Sequence, residues 1–304
     1  MLEAYRPLRH DDPEEHWHFT DEELAAAEDI DGIESFKQQS VGIDIGSSTS
    51  HLIFSELVLR RDSSSSRFVV AGRRLLYRSA ILLTPYKTPT EIDTDRLLGF
   101  IERAYESAGV DAANIDAGAV VITGEALKKE NARPILERFS REAGKFICAS
   151  AGPHHEALLA AHGSGAVALS RDNDWRVLVI DIGGGTTKLG LIADGKVQST
   201  AAINIGARLV AFDDIDRLTR IEEPARLVLG DEGNSLALGE PITLAQMHTL
   251  TRRMVDSLFD VILGRPYSTL TDELMITEPL VGYEGIDTID RIVFSGGVSE
   301  YVYG

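Results

Sequence analysis

Apolar and polar residues alternate at Val41, Ile43 and Ile45, and the alternation stops at Gly46-Ser47-Ser48-Thr49-Ser50. An apolar run resumes at Leu52-Ile53-Phe54. A period of two predicts strands, and a short Gly/Ser turn between them predicts a hairpin. Phe68–Ala71 and Leu75–Tyr77 supply a third antiparallel strand, after a serine run at 63–66 that reads as a connector. The period then changes. Leu97, Leu98, Ile101, Ala104, Tyr105 and Ala108 share one face of a helix predicted over 94–108, with Gly109 placed to cap it. A short strand at Ala119–Ile122, a helix over about 128–143 and a strand at Phe146–Cys148 follow. After Gly152-Pro153, the residues Ala157, Leu158, Ala161 and Gly165 line the small face of another predicted helix.

The second half begins the pattern again. Val177–Ile180 runs into Asp181, then Gly183-Gly184-Gly185-Thr186-Thr187, then a second apolar strand at Leu189–Ile192 that ends in the tight-turn pair Asp194-Gly195. Aligned on their aspartates, Asp44-Ile-Gly-Ser-Ser-Thr-Ser-His-Leu and Asp181-Ile-Gly-Gly-Gly-Thr-Thr-Lys-Leu run in parallel. Each is strand, Asp, small-residue turn, strand, which reads as a duplicated domain. The polar stretch 170–174 marks the boundary between the copies, giving lobes at 40–170 and 171–304. A long helix is predicted from Thr243 to Leu263, opened by a Thr243/Gln246 capping box and striped by Leu244, Met247, Leu250, Met254, Leu258 and Ile262. Arg291–Phe294 is a last strand, entering Ser295-Gly296-Gly297-Val298 shortly before Gly304.

Length and composition narrow the class. At 304 residues, 43% of them hydrophobic, the chain suits about two domains with real cores. No apolar run approaches the roughly 20 residues that span a bilayer, so no membrane role is expected. The net charge of −18 opposes binding to a nucleic-acid backbone. Residues 1–39 carry twelve acidic and three basic side chains, half of that excess, in an acidic N-terminal tail. Thr20 and Glu23 offer that tail one capping box, and its His10, His16 and His18 read as part of a solvated arm. Cys148 is the only cysteine, which precludes an internal disulfide, points to a reducing cytoplasm and reads as a small core hydrophobe.

The repeated turns carry the candidate chemistry. Close approach of backbone N–H groups to a triphosphate requires small residues. Gly46, Ser47, Ser48 and Thr49 offer one clamp, and Gly183, Gly184, Gly185, Thr186 and Thr187 the other. Neither is a Walker A loop, and the glycine run leads into a strand where a dinucleotide fingerprint would open a helix. Asp44 and Asp181 each precede a turn, and two carboxylates facing one phosphate cluster suit a hydrated Mg²⁺. Lys188 either reaches a phosphate oxygen or is a surface lysine at a strand start. Gly296 and Gly297 would let an adenine ring lie flat against backbone.

In that order, Asp44–Thr49, Asp181–Thr187 and Ser295–Val298 resemble the phosphate 1, phosphate 2 and adenosine motifs of the actin, Hsp70 and sugar-kinase superfamily. Within it, Val41 to Ser55, Ile122 to Ala126, Lys129 to Ala132 and Ala151 to Pro153 are similar to the ethanolamine ammonia-lyase reactivating factors. The resemblance implies an α/β protein of duplicated ribonuclease H-like domains with a nucleotide cleft between its lobes. It implies ATP and Mg²⁺ as cofactors, with Asp44 and Asp181 in the metal shell and the two turns on phosphates. Glu125 is the candidate to orient an attacking water, with capping of the following helix as the alternative. The function implied is that of a cytoplasmic chaperone, with slow ATP hydrolysis, that frees ethanolamine ammonia-lyase of damaged cobalamin. It belongs to ethanolamine utilisation, with a possible place at a bacterial microcompartment, and its relation to cobalamin is indirect. Family members continue past the adenosine motif, so the chain is expected to be a fragment or truncated product. A small-molecule kinase or exopolyphosphatase on the same fold, and an actin-like filament scaffold, are the alternatives.

Overall fold

The structure is a computed structural model and describes residues 34–61, 67–88, 90–127, 129–143 and 146–304. Most of the acidic tail, with its expected helix and histidines, and the serine run at 63–66 lie outside these residues. The chain forms two compact units, residues 1–151 and 152–304.

In the first unit the expected hairpin is β1 (Ser35–Ile45) against β2 (Thr49–Arg61), extended by β3 (Phe68–Arg78). β1 therefore starts inside the segment expected to be tail. Val41, Ile43 and Ile45 are buried in alternation, as their period requires. Short strands β4 (Leu82–Leu83), β5 (Tyr86–Thr88) and β6 (Glu91–Ile92) lead to helix α1 (Thr94–Ala108). Asp93 caps α1 by accepting from the Arg96 N–H at 3.1 Å, and Gly109 closes it in the left-handed region. Leu97, Ile101 and Ala104 face a core with Leu52, Phe54, Val120 and Ile122.

Strand β7 (Ala117–Thr123) then pairs parallel to β1. It is followed by the short helix α2 (Gly124–Leu127) and by α3 (Ala132–Ala143). The helix expected over about 128–143 is α3, which starts at Ala132, and the short α2 before it was not expected. Strand β8 (Phe146–Ala151) pairs parallel to β7, and the sheet order is β3-β2-β1-β7-β8, with β4 on β2. Cys148 is half-buried against this core, and burial pushes its thiol pKa up, as befits a small hydrophobe.

The second unit opens with α4 (Pro153–Gly163) and α5 (Ala166–Asn173), two helices where one small-faced helix was expected. Gly165 sits between them in the left-handed region, and Leu158 is partly exposed, while Ala157 and Ala161 are buried. The units divide at Ala151/Gly152, earlier than the polar stretch near 170. The reason is packing: α5 and α4 cover one face of the second sheet, where Ala161 and Ala166 meet Val177, Val179 and Ile192.

That sheet contains β9 (Val177–Ile182), β10 (Thr187–Ala193) and β11 (Lys196–Ile203). Asp194 and Gly195 both have positive φ, 54° and 66°, the type I′ geometry that suits a two-residue hairpin. A small pair, β12 (Val210–Phe212) with β13 (Leu218–Ile221), precedes helix α6 (Glu223–Leu229). Helix α7 (Leu244–Ile262) has the predicted capping box and buries Leu250, Leu258 and Ile262, while Leu244 at its first position is exposed. After α8 (Thr269–Leu274), β14 (Arg291–Ser295) pairs parallel to β9, and α9 (Ser299–Tyr303) follows. Val177–Ile180 are fully buried because α6, α7 and α8 cover the other face, around Leu178 and Ile180.

The order β11-β10-β9-β14 repeats β3-β2-β1-β7, antiparallel meander first and parallel strand next. Two α/β units with one strand order are the duplicated ribonuclease H-like fold. Among the described residues no helix is long and apolar enough to cross a membrane.

Candidate functional site

The first turn joins β1 to β2. Its Gly46 N–H donates to the Thr49 carbonyl at 2.9 Å. Side chains from the following strands hold its other carbonyls: the Thr84 hydroxyl donates to Gly46 O at 2.7 Å and the Tyr86 hydroxyl to Ser47 O at 2.6 Å. The Thr84 N–H adds a bond to Ser48 O at 3.0 Å. Asp44 stands just before the turn with a partly exposed carboxylate, opposite His51 on the ladder, its Oδ2 3.8 Å from the imidazole Nδ1. Burial, and secondarily the Arg78 charge, hold the His51 pKa below its ordinary value, so the ring favours its neutral form.

Helix α2 begins against this turn. A Cβ on Gly124 would sit on Ser47 Oγ, so α2 starts with its backbone in contact with the turn. Glu125 is the next residue along that helix.

The second turn joins β9 to β10 and repeats the first bond: Gly183 N–H donates to the Thr186 carbonyl at 3.0 Å. Here backbone rather than side chains holds two further carbonyls. Ala207 N–H reaches Gly183 O at 3.0 Å and Arg208 N–H reaches Gly184 O at 2.7 Å. Gly206 packs so tightly on Gly184 and Gly185 that a Cβ there would overlap their backbone. The Thr187 hydroxyl, expected at the ligand, is buried and donates to Ile205 O at 2.7 Å, so that side chain serves the scaffold.

Asp181 accepts a short hydrogen bond from the Ser295 hydroxyl, and the two residues are ladder neighbours on β9 and β14. Gly296 follows at φ 81°, with no room for a Cβ against the Ile182 carbonyl, whereas Gly297 looks into open space. Lys188 departs from the surface reading. It is buried, stands opposite Asp181 on the ladder, and forms an ion pair with Glu156 of α4 at 2.5 Å.

Each unit therefore gathers its own patch. In the first are Asp44, Gly46–Thr49, and the start of α2 with Glu125. In the second are Asp181, Gly183–Thr186, Lys188 and Gly296. Sequence reasoning missed Thr84, Tyr86 and Gly206, which support the turns from distant parts of the chain. Only Gly206 left a signal, a glycine where the β11 strand has ended. Among the described residues no group of three or more His, Cys, Asp and Glu side chains is arranged to hold a metal by itself. A cation at either turn would rest on Asp44 or Asp181 together with oxygens of its ligand.

Residues 37–304 match the family model described as "Ethanolamine utilisation protein EutA". The chain belongs to the EutA family. It is 38% identical over 265 residues to the ethanolamine ammonia-lyase reactivase EutA of Salmonella typhimurium, covering 86% of this chain and 56% of that protein. The Escherichia coli reactivase EutA gives 38% over 264 residues with the same coverage. The chain thus spans about half the length of the curated EutA relatives it matches. Among solved structures, an Aquifex aeolicus PPX-GPPA enzyme is 23% identical with a TM-score of 0.40, over 56% of this chain and 54% of that one. That superposition is loose, and the fold is carried instead by the strand order repeated in the two units.

Proposed function

We propose that this EutA-family chain is the nucleotide-binding part of an ATP-dependent reactivating chaperone. Its client would be adenosylcobalamin-dependent ethanolamine ammonia-lyase, and its task the exchange of damaged cobalamin for intact coenzyme. The observation that carries the reading is the duplicated turn. After Asp44 and after Asp181, the second residue is a glycine whose N–H bonds the carbonyl three residues on. The carbonyls of Gly46–Thr49 and of Gly183, Gly184 and Thr186 are engaged within their units, so N–H groups are the main donors these turns offer a ligand. Such an edge suits phosphate.

Asp44 and Asp181 fit a Mg²⁺ that keeps several waters and takes phosphate oxygens, since that ion needs only one or two carboxylates. When bound, it would neutralise phosphate charge beside an acidic protein. Gly46, Ser47, Ser48 and Thr49 hold one set of phosphate oxygens in this reading, and Gly183, Gly184, Gly185 and Thr186 the other. Thr187 contributes backbone only. Glu125, one residue past the contact of Gly124 with Ser47, orients the water that accepts the phosphoryl group. Gly296 and Gly297 receive the adenine. The units serve as two actin-like ATPase lobes, behind an acidic tail, in a bacterial cytoplasmic protein that works with ethanolamine utilisation and its microcompartment. Opening and closing of the lobes with nucleotide would be transmitted to the lyase.

The test incubates the protein with ethanolamine ammonia-lyase inactivated by cyanocobalamin, with adenosylcobalamin and Mg-ATP supplied. Lyase activity should return only with ATP, and Asp181→Ala should abolish the return. Mg-ATP binding in calorimetry without any recovery would overturn the reactivating role and favour a small-molecule kinase or exopolyphosphatase. Absence of nucleotide binding would overturn the reading of the turns themselves.

A further inference from the structure

Residues opposite one another on paired strands project to the same face of a sheet, and Asp181 has a polar neighbour of this kind on each flanking strand. On β14 it is Ser295, whose hydroxyl donates a short hydrogen bond to Asp181 Oδ1. On β10 it is Lys188, whose ammonium forms its ion pair with Glu156 of α4 at 2.5 Å. The aspartate is therefore oriented by a neutral donor. A hydroxyl fixes the direction of a carboxylate without cancelling its charge, which is what an oxygen ligand for a cation requires.

The donor is itself held firmly. Ser295 is the last residue of β14, and Gly296 after it has a left-handed φ of 81°. A Cβ on Gly296 would lie 2.4 Å from the carbonyl oxygen of Ile182, the residue that follows Asp181. The ends of β14 and β9 are thus joined at two successive positions, once through the hydroxyl and once by backbone against backbone. The first unit is built differently at this point. Its parallel ladder places Val121 of β7 beside Asp44, and a valine side chain has no donor to offer.

We infer that Ser295 is a positioning residue, whose hydroxyl holds the Asp181 carboxylate in one orientation for the Mg²⁺ that accompanies a bound nucleotide. The inference rests on the nucleotide reading above. A carboxylate that turns freely loses that freedom when it takes up an ion, and a preformed hydrogen bond removes this cost before the ion arrives. Backbone bonds pair β14 with β9, so the strand keeps its place when the hydroxyl alone is removed.

The experiment measures ATP binding to the full chain by calorimetry, once with Mg²⁺ and once in EDTA. It compares wild type with Ser295→Ala, Ser295→Thr, Asp181→Asn and the double variant Ser295→Ala/Asp181→Asn. The quantity read is the ratio of the two affinities, which separates the contribution of the metal from a general weakening of the site. In wild type Mg²⁺ should tighten ATP binding. Ser295→Ala should reduce that tightening about tenfold, and Ser295→Thr, which keeps a hydroxyl, should preserve it. Asp181→Asn should lose at least as much, and adding Ser295→Ala to it should change nothing further, because the serine acts only through the aspartate. A purely structural serine would weaken ATP equally with and without the metal, and a ratio unchanged in Ser295→Ala overturns the inference. A further fall in the double variant overturns it as well. Wild type that binds ATP equally with and without Mg²⁺ overturns it while leaving the nucleotide reading standing, and this arm needs no variant to fold. Wild type that binds no nucleotide overturns both.

Discussion

The two turns share a frame and differ in what stands behind it. Both begin two residues after an aspartate, both close with a glycine N–H on the carbonyl three residues on, and both face a basic side chain seven residues past the aspartate. In the first unit the carbonyls are held largely by the hydroxyls of Thr84 and Tyr86, and the basic residue is a histidine biased to its neutral form. In the second the carbonyls are held by the backbone of Ala207 and Arg208, and the basic residue is a lysine bound to a buried glutamate. Serines suffice where side chains do the holding. Where backbone packs on backbone, as at Gly206 and Gly296, only glycine fits. The duplicated fold thus keeps one hydrogen-bond geometry while its supports have diverged.

The largest effect that would test this contrast is expected at the glycine pair after β14. Gly296→Ala forces a left-handed residue to place its Cβ on the Ile182 backbone, and should cost roughly 3 kcal/mol or more in denaturant unfolding of the second unit. Gly297→Ala, one residue on and facing open space, should stay within about 0.5 kcal/mol. Equal costs would show that backbone packing does not hold the second turn.

Next come the equivalent glycines of the turns. A Cβ on Gly46 would lie 2.9 Å from Thr49 O, and one on Gly183 3.3 Å from Thr186 O. Gly46→Ala should therefore destabilise by about 2 kcal/mol and Gly183→Ala by about half that, in the same unfolding measurement. A reversed order would mean the serine-containing turn is the more compliant one.

Thr84→Val removes the hydroxyl that donates to Gly46 O and meets Ser50 Oγ at 2.9 Å in a fully buried site. About 1–2 kcal/mol should be lost from the first unit, with exchange protection in the second unchanged. The smallest effect is pH-dependent. Because the folded His51 has a pKa below the ordinary 6.5, the unfolded chain takes up a proton there that the folded chain resists. That contribution to stability is complete above about pH 6.5 and is lost as the pH falls towards the folded value. His51→Gln should flatten the decline in stability below pH 6.5. An unchanged slope would show that His51 is as free to protonate as in the unfolded chain.

Much of the fold was legible because its signals are local. The alternation at Val41, Ile43 and Ile45, the Thr243/Gln246 box, and the Asp194-Gly195 pair each specify a conformation through neighbours within a few residues, and each formed as expected. The helices expected over 94–108 and 243–263 also formed, whereas two in the middle of the chain differ. The helix expected over about 128–143 formed from Ala132 as α3, and the small-faced helix after Pro153 broke at Gly165, because glycine accepts left-handed backbone there and a periodic pattern does not reveal such a break. The boundary moved for a different reason: a polar stretch marks solvent exposure, whereas the unit begins where Ala161 and Ala166 find their packing partners.

The candidate site divides in the same way. The sequence by itself determined that two Asp-turn hairpins exist, that small residues line them, and that a glycine pair follows the last strand, since these depend on residue type and spacing. Only the tertiary structure decided that Ser295 would bond Asp181 across 114 residues, that Thr187 would turn its hydroxyl to Ile205, and that Lys188 would be buried against Glu156. Strand periodicity is written in adjacent residues. The partner of a buried polar group is chosen by whichever distant segment the packing of the sheet brings within hydrogen-bond reach, and no short stretch of sequence contains that choice.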